Sequence, residues 1–135
     1  DTINAEISKF KSKDLLEAIV ASGAMVAYAD GQISSDEKQK LMGYLRSSEQ
    51  LKHFDQNDVI KLFQKYVEKY EFDATIATGE VMAAVSKFKG KPQAQLVVRV
   101  CCAIGASDGD FDQTEKDVVR RMCAELELDA TAFGL

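Results

Sequence analysis

The chain of 135 residues is poor in proline and cysteine and has no long apolar run, and each shortage excludes a class of protein. With one proline, and with Ala, Leu, Lys, Glu and Gln abundant, the composition favours helix throughout. Three cysteines, two of them adjacent, do not make the disulfide framework of a small secreted domain, so we expect a reducing cytoplasm. No apolar stretch approaches the roughly 18 residues of a membrane-spanning helix.

The charge and the missing catalytic motifs exclude further classes. A formal net charge of −5 argues against general nucleic-acid binding, because such binding depends on neutralising phosphates. No serine or cysteine lies in a recognisable nucleophile elbow, and "SGAMVA" at residues 22–27 lacks the Lys and Ser/Thr of a phosphate loop. We therefore predict a protein that is not an enzyme and takes no organic cofactor.

One pattern occurs twice. "YADGQISSDEK" at residues 28–38 and "ASDGDFDQTEK" at residues 106–116 share the order Asp-Gly, apolar residue, helix cap, Glu-Lys. At the same offset of 78, "SKFK" at 8–11 matches 86–89, and no gap is needed between 3–38 and 81–116. We predict a single domain over residues 1–135, built from two pseudo-twofold related helical repeats at about 3–50 and 81–128.

The periodicity of apolar residues predicts an all-α bundle of about seven helices, because no segment alternates with the period of a strand. We expect one helix from about Leu15 to Ala29 and another entered near Asp73. After the two acidic turns, helices should run to about Leu45 and Leu126. Between the copies, one helical face is formed by the following residues: Val59, Ile60, Phe63, Tyr66 and Val67.

Several residues predict where helices begin and end. Gly90 is typical of a helix C-terminus, and Pro92 of a first helical position. Ser34 with Glu37, and Asp112 with Glu115, have the spacing of a capping box, although aspartate is not the usual first residue of that motif. Asp129 should cap a final short turn that ends at Phe133.

The second turn is not an EF-hand. Asp108, Asp110 and Asp112 occupy loop positions one, three and five, but that loop also needs glycine at six and a bidentate glutamate at twelve. Those positions hold Gln113 and Val119.

The acidic turns still concentrate like charge. Asp30 and Asp108 each close a helix, beside the negative end of its dipole, and each faces the acidic start of the next helix. A divalent cation such as Ca²⁺, Mg²⁺ or Mn²⁺ would relieve this repulsion; a solvated turn balanced by lysines at 38 and 116 is the alternative. The predicted ligands are Asp30 and Glu37 in the first copy, and Asp108, Asp110, Asp112 and Glu115 in the second.

Lysines lie one helix length before each acidic turn, at Lys11, Lys13, Lys89 and Lys91. About 16 residues of helix separate the basic and acidic positions by roughly 25 Å. Copies packed side by side would give one basic and one acidic end, whereas antiparallel copies would give both at each end. The lysines are either solvated helix ends or a surface for anionic lipid or an acidic partner.

The remaining reactive side chains favour structural roles. Cys101, Cys102 and Cys123 lie on apolar helical faces and are predicted core residues. His53 has no Cys or Asp at the spacing of a zinc site, so we interpret it as a surface loop residue.

Nearly the whole chain resembles the TerB tellurite-resistance family. The resemblance rests on "YADGQISSDEKQKLMGYLRSSEQLKHFD", "GASDGDFDQTEKDVVRRMC" and the ending "FGL". It implies a cytoplasmic, duplicated helical bundle whose suspected cation site falls on Asp30, Glu37, Asp108 and Glu115. It also implies partnership with the integral membrane protein TerC, and with other ter-system proteins, at the inner face of the bacterial membrane.

Our leading hypothesis is a non-enzymatic adaptor in tellurite and stress resistance that responds to a divalent cation and associates peripherally with the membrane. One alternative is a helical protein–protein interaction module that needs no metal. Another is a thiol-dependent protein that handles tellurite through Cys101 or Cys102. Direct capture of tellurite at the acidic turns is implausible because tellurite is an oxyanion.

Overall fold

A computed structural model describes residues 12–31, 33–47, 51–106 and 111–135, apart from the side chains of residues 37 and 40. Six α-helices and no strand occur within these ranges, so the all-α prediction is confirmed. The helices are α1 (Lys13–Ala27), α2 (Ser35–Ser47), α3 (Gln56–Phe72), α4 (Ala74–Ser86), α5 (Gln93–Ala106) and α6 (Gln113–Glu125), followed by a 3₁₀ helix at Ala130–Phe133. Residues 1–11, at the start of the first predicted repeat, lie outside the described residues.

The central element is α1, which packs against α3, α4, α5 and α6. The Ser12 side chain caps its start by accepting a hydrogen bond from the Leu15 amide at 3.1 Å. Every residue from Leu15 to Val26 except Glu17 is buried, because the sequence there is apolar on all faces of the helix. This helix therefore forms the middle of a single hydrophobic core.

Helix bounds in the two halves of the chain follow the offset of 78 to within two residues. Helices α2 and α6 cover 35–47 and 113–125, and α1 and α5 cover 13–27 and 93–106. The matched helices α1 and α5 also contact each other: the Cys101 thiol lies 3.0 Å from the Ser22 hydroxyl. These bounds are consistent with a repeat, while the duplication itself stays a prediction.

Two joints fix α3 against α1. The Tyr66 hydroxyl donates to the Glu17 carboxylate at 2.7 Å, and the rings of Tyr28 and Tyr70 stack with centroids 4.9 Å apart. Between α3 and α4, Asp73 ends one helix and caps the next, accepting from the Ile76 amide at 3.0 Å. The chain therefore turns sharply at this single residue.

Most predicted helix ends agree with the structure to within two residues, but the end predicted at Gly90 does not. Helix α4 ends at Ser86, and Gly90, with φ of 77°, lies in the turn that follows. Helix α5 begins at Gln93, one residue after Pro92. Helix α1 ends at Ala27 because the Ala29 amide donates to the Val26 carbonyl, three residues back, and so no longer follows the helical pattern. Asp129 caps the final 3₁₀ helix as predicted, accepting from Thr131 at 3.0 Å.

Candidate functional site

The second acidic turn is closed by a complete capping box. The Asp112 carboxylate accepts from the Glu115 amide at 2.8 Å, and the Glu115 carboxylate accepts from the Asp112 amide at 3.0 Å. Aspartate therefore performs the role that serine or threonine usually has in this motif. Both carboxylates are held on one turn at the start of α6, directly after the predicted ligands Asp108 and Asp110, which lie outside the described residues.

The first acidic turn is described except for residue 32 and the side chain of residue 37. Asp30 is exposed, and Gly31 follows it with φ of 98°, a left-handed conformation that favours glycine. The Gly31 amide donates to the Tyr28 carbonyl at 2.9 Å, which closes the turn after α1. The capping box predicted for Ser34 with Glu37 is not tested, because the Glu37 side chain lies outside the described residues. Helix α2 begins at Ser35, directly after Ser34, as that prediction requires.

The predicted cation site is described only in part. Among the described residues, no group of three or more His, Cys, Asp or Glu side chains is placed to hold a metal ion. The capping box occupies one oxygen each of Asp112 and Glu115. The Asp112 carboxylate has a second oxygen that can accept another bond. Since Ca²⁺ takes six to eight oxygens and Mg²⁺ about six, further ligands would have to come from the neighbouring aspartates, carbonyls and water.

Lysines gather where α1 begins and α5 approaches. The Lys87 ammonium lies 3.7 Å from the Asp14 carboxylate in the first turn of α1. Lys89, two residues on, pairs with Glu127 at 3.8 Å, just beyond the end of α6. Lys13, Lys89 and Lys91 are all exposed in this region, while Lys11 lies outside the described residues.

The contacts between α1 and α5 favour a molecule with one basic and one acidic end. Asp14, in the first turn of α1, pairs with Lys87, which follows the end of α4 and lies six residues before α5 begins. Helices α1 and α5 meet at Ser22 and Cys101, near the middle of each, and the next residue of α1, Gly23, lies against Ile104, three residues further along α5. The helices therefore run in broadly the same direction, and the 15 residues of α1 place the basic and acidic ends about 22 Å apart.

Two of the three cysteines are core residues, as predicted. Cys101 and Cys123 are buried, and burial raises the pKa of the Cys101 thiol to about 12 and that of Cys123 to about 11. Both thiols are therefore protonated and unreactive at neutral pH. Cys102 differs because it is only half-buried, and it lines an open groove of about 610 Å³ beside the C-terminal 3₁₀ helix. Burial also raises its pKa.

His53 is more enclosed than a surface loop residue. Its ring is half-buried, and its Nε2 atom is buried with no hydrogen-bond partner in the described part of the chain. Sequence spacing gave no signal for this, because the residue lies in an irregular turn rather than on a periodic helix.

Sequence reasoning missed the exposed apolar residues where α3 meets α4. Phe72 is 84% exposed and Ile76 is 54% exposed, and no other large hydrophobic side chain in the described ranges is comparably open. The signal was present: Phe72 lies two residues after the buried Tyr70, which on a helix turns it about 200° away from the core face.

The helical arrangement and the paired acidic turns agree with a comparison against protein families. The family model described as "Tellurite resistance protein TerB" matches residues 16–135, a range that includes both turns. This chain belongs to the TerB family. It is similar to a curated TerB relative, the tellurium resistance protein TerB of an Alcaligenes species, with 41% identity over 101 residues, or 74% of this chain and 83% of the relative. No solved structure matches the chain.

No helix in the described part of this TerB-family chain is long and apolar enough to cross a membrane.

Proposed function

We propose that this protein acts in tellurite resistance as a non-catalytic cytoplasmic adaptor, which binds a divalent cation at its acidic turns and engages the membrane protein TerC and other ter-system proteins. The observation that carries the proposal is the TerB family match, which spans both acidic turns and nearly all of the bundle. The relative from Alcaligenes is named for tellurium resistance, which supports the same role here.

The cation would bind first at the second turn. Asp112 and Glu115 are already held together there by two hydrogen bonds, so little side-chain entropy remains to be lost on binding. Asp108 and Asp110 are the expected additional ligands. A bound cation would reduce the repulsion among these carboxylates, which is the physical basis for a response to metal. Asp30 and Glu37 would form the weaker site because Gln32 and Ser34 replace the extra acids.

Partner binding is assigned to the basic end. The exposed lysines Lys13, Lys89 and Lys91, with Lys11 preceding them, suit an acidic protein surface or the anionic lipids of the inner leaflet, where each lysine near the surface contributes about 1 kcal/mol. The acidic end repels both lipid and tellurite. The molecule would therefore approach the membrane with its basic end and expose the cation sites to the cytoplasm.

An NMR titration tests the cation step. Ca²⁺, Mg²⁺ and Mn²⁺ are added separately, and amide signals of Gly31 and Gly109 are followed. We expect shifts or broadening there, lost at one turn in Asp30→Asn and at the other in Asp108→Asn. Asp58→Asn removes the same charge from an exposed position on α3 and should leave the titration unchanged. Spectra unaffected by millimolar metal would exclude the cation site.

Capture of TerC from a membrane fraction tests whether the protein is a cation-dependent adaptor or an interaction module that needs no metal. The adaptor requires that Asp30→Asn with Asp108→Asn weakens capture and that a chelator does the same. Capture that persists under both conditions would instead support the metal-independent alternative.

Thiol chemistry is the least supported alternative, because two of the three thiols are buried and protonated. A variant with all three cysteines changed to serine should still confer tellurite resistance, provided that its folding is verified by circular dichroism. Loss of resistance in a folded variant would favour the thiol-dependent function.

A further inference from the structure

We draw no further inference here: the strongest candidate, the open groove of about 610 Å³ between α5 and the C-terminal 3₁₀ helix, lined by Arg99, Cys102, Leu128 and Phe133, carries none, because nothing in the described residues shows what covers it.

Discussion

At the residue scale, Gly105 shows how closely the second acidic turn is packed against α5. A Cβ added there would lie 2.7 Å from the Phe111 ring, closer than real Cβ contacts come. We expect Gly105→Ala to destabilise the protein by about 1–3 kcal/mol, because the ring must move. Urea unfolding measures this. Gly43→Ala is the control and should stabilise by about 0.5–1 kcal/mol, since its Cβ meets nothing. Equal stabilisation by both changes would contradict the close contact.

The stacked tyrosines give a second residue-scale prediction. The Tyr28 hydroxyl is buried without a hydrogen-bond partner among the described residues, whereas Tyr70 shares a bond of 3.0 Å with Thr78. Burial raises the pKa of Tyr28 to about 12. Tyr28→Phe should therefore be neutral or slightly stabilising, and Tyr70→Phe should cost about 1 kcal/mol. Both keep the ring stack, so thermal unfolding compares the hydroxyls alone. A larger loss from Tyr28→Phe would show that its hydroxyl has a partner.

At the scale of elements, the joint between α1 and α3 depends on one partly buried carboxylate. The Tyr66 hydrogen bond lowers the pKa of Glu17 below its ordinary 4.5, burial opposes this, and Lys65 at 3.2 Å adds to the lowering. The side chain is 27% exposed, so solvent screens the interaction only in part. We expect Tyr66→Phe to destabilise the protein by about 1–2 kcal/mol at pH 7.

The sign of the pH dependence follows from the lowered pKa. The charged Glu17 stabilises the folded chain fully above the pKa of an unfolded glutamate, and this contribution is lost as the pH falls through the folded value. The stability difference between wild type and Tyr66→Phe should therefore shrink on acidification below about pH 4. Chemical unfolding at a series of pH values measures it. Glu17→Gln should remove most of this pH dependence, and a difference that is constant with pH would contradict the assignment.

Helix ends were predictable where one side chain decides them. Asp112 and Asp129 act through local hydrogen bonds, and each was predicted as a cap at the position found. The prediction of Gly90 as a helix C-cap was wrong: α4 ends at Ser86, and the positive φ of Gly90 belongs to the turn that follows, since a left-handed glycine suits a turn as well as a helix end. Pro92 was predicted as the first residue of a helix, but the helix begins one residue later, at Gln93. Proline fits the turn before a helix as well as its first position. Periodicity located the core face of α3, including Phe63 and Tyr66, because burial there repeats with the helix.

At the scale of the whole molecule, the relative direction of helices α1 and α5 was not predictable. It is decided by contacts between distant residues, such as Lys87 with Asp14 and Cys101 with Ser22, and no local pattern encodes those pairs. The same limit applies to the cation site. Residue spacing in the sequence predicts that acidic residues lie at two turns. Whether their carboxylate oxygens come close enough to bind one ion depends on how the turns pack, which the spacing does not show. The described carboxylates bring together Asp112 and Glu115 alone.

The basic end gives a prediction that separates binding from stability. Lys13, Lys89 and Lys91 are exposed, and the pair of Lys89 with Glu127 is long, at 3.8 Å, with the two side chains 49% and 73% exposed. Changing all three lysines to alanine should alter the unfolding free energy by less than about 0.5 kcal/mol. Binding to phosphatidylserine vesicles at low salt should nevertheless be lost, because each lysine contributes about 1 kcal/mol near an anionic surface.

A matched variant carries the same loss of charge at three other exposed positions, Arg46, Lys52 and Lys61. It should retain vesicle binding, measured by cosedimentation, if orientation with the basic end toward the lipid decides the affinity. If both variants lose vesicle binding equally, only the net charge of the protein decides the binding, and the positions of the exposed basic residues do not. The separation of basic and acidic ends along α1 would in that case have no part in how the protein meets a membrane.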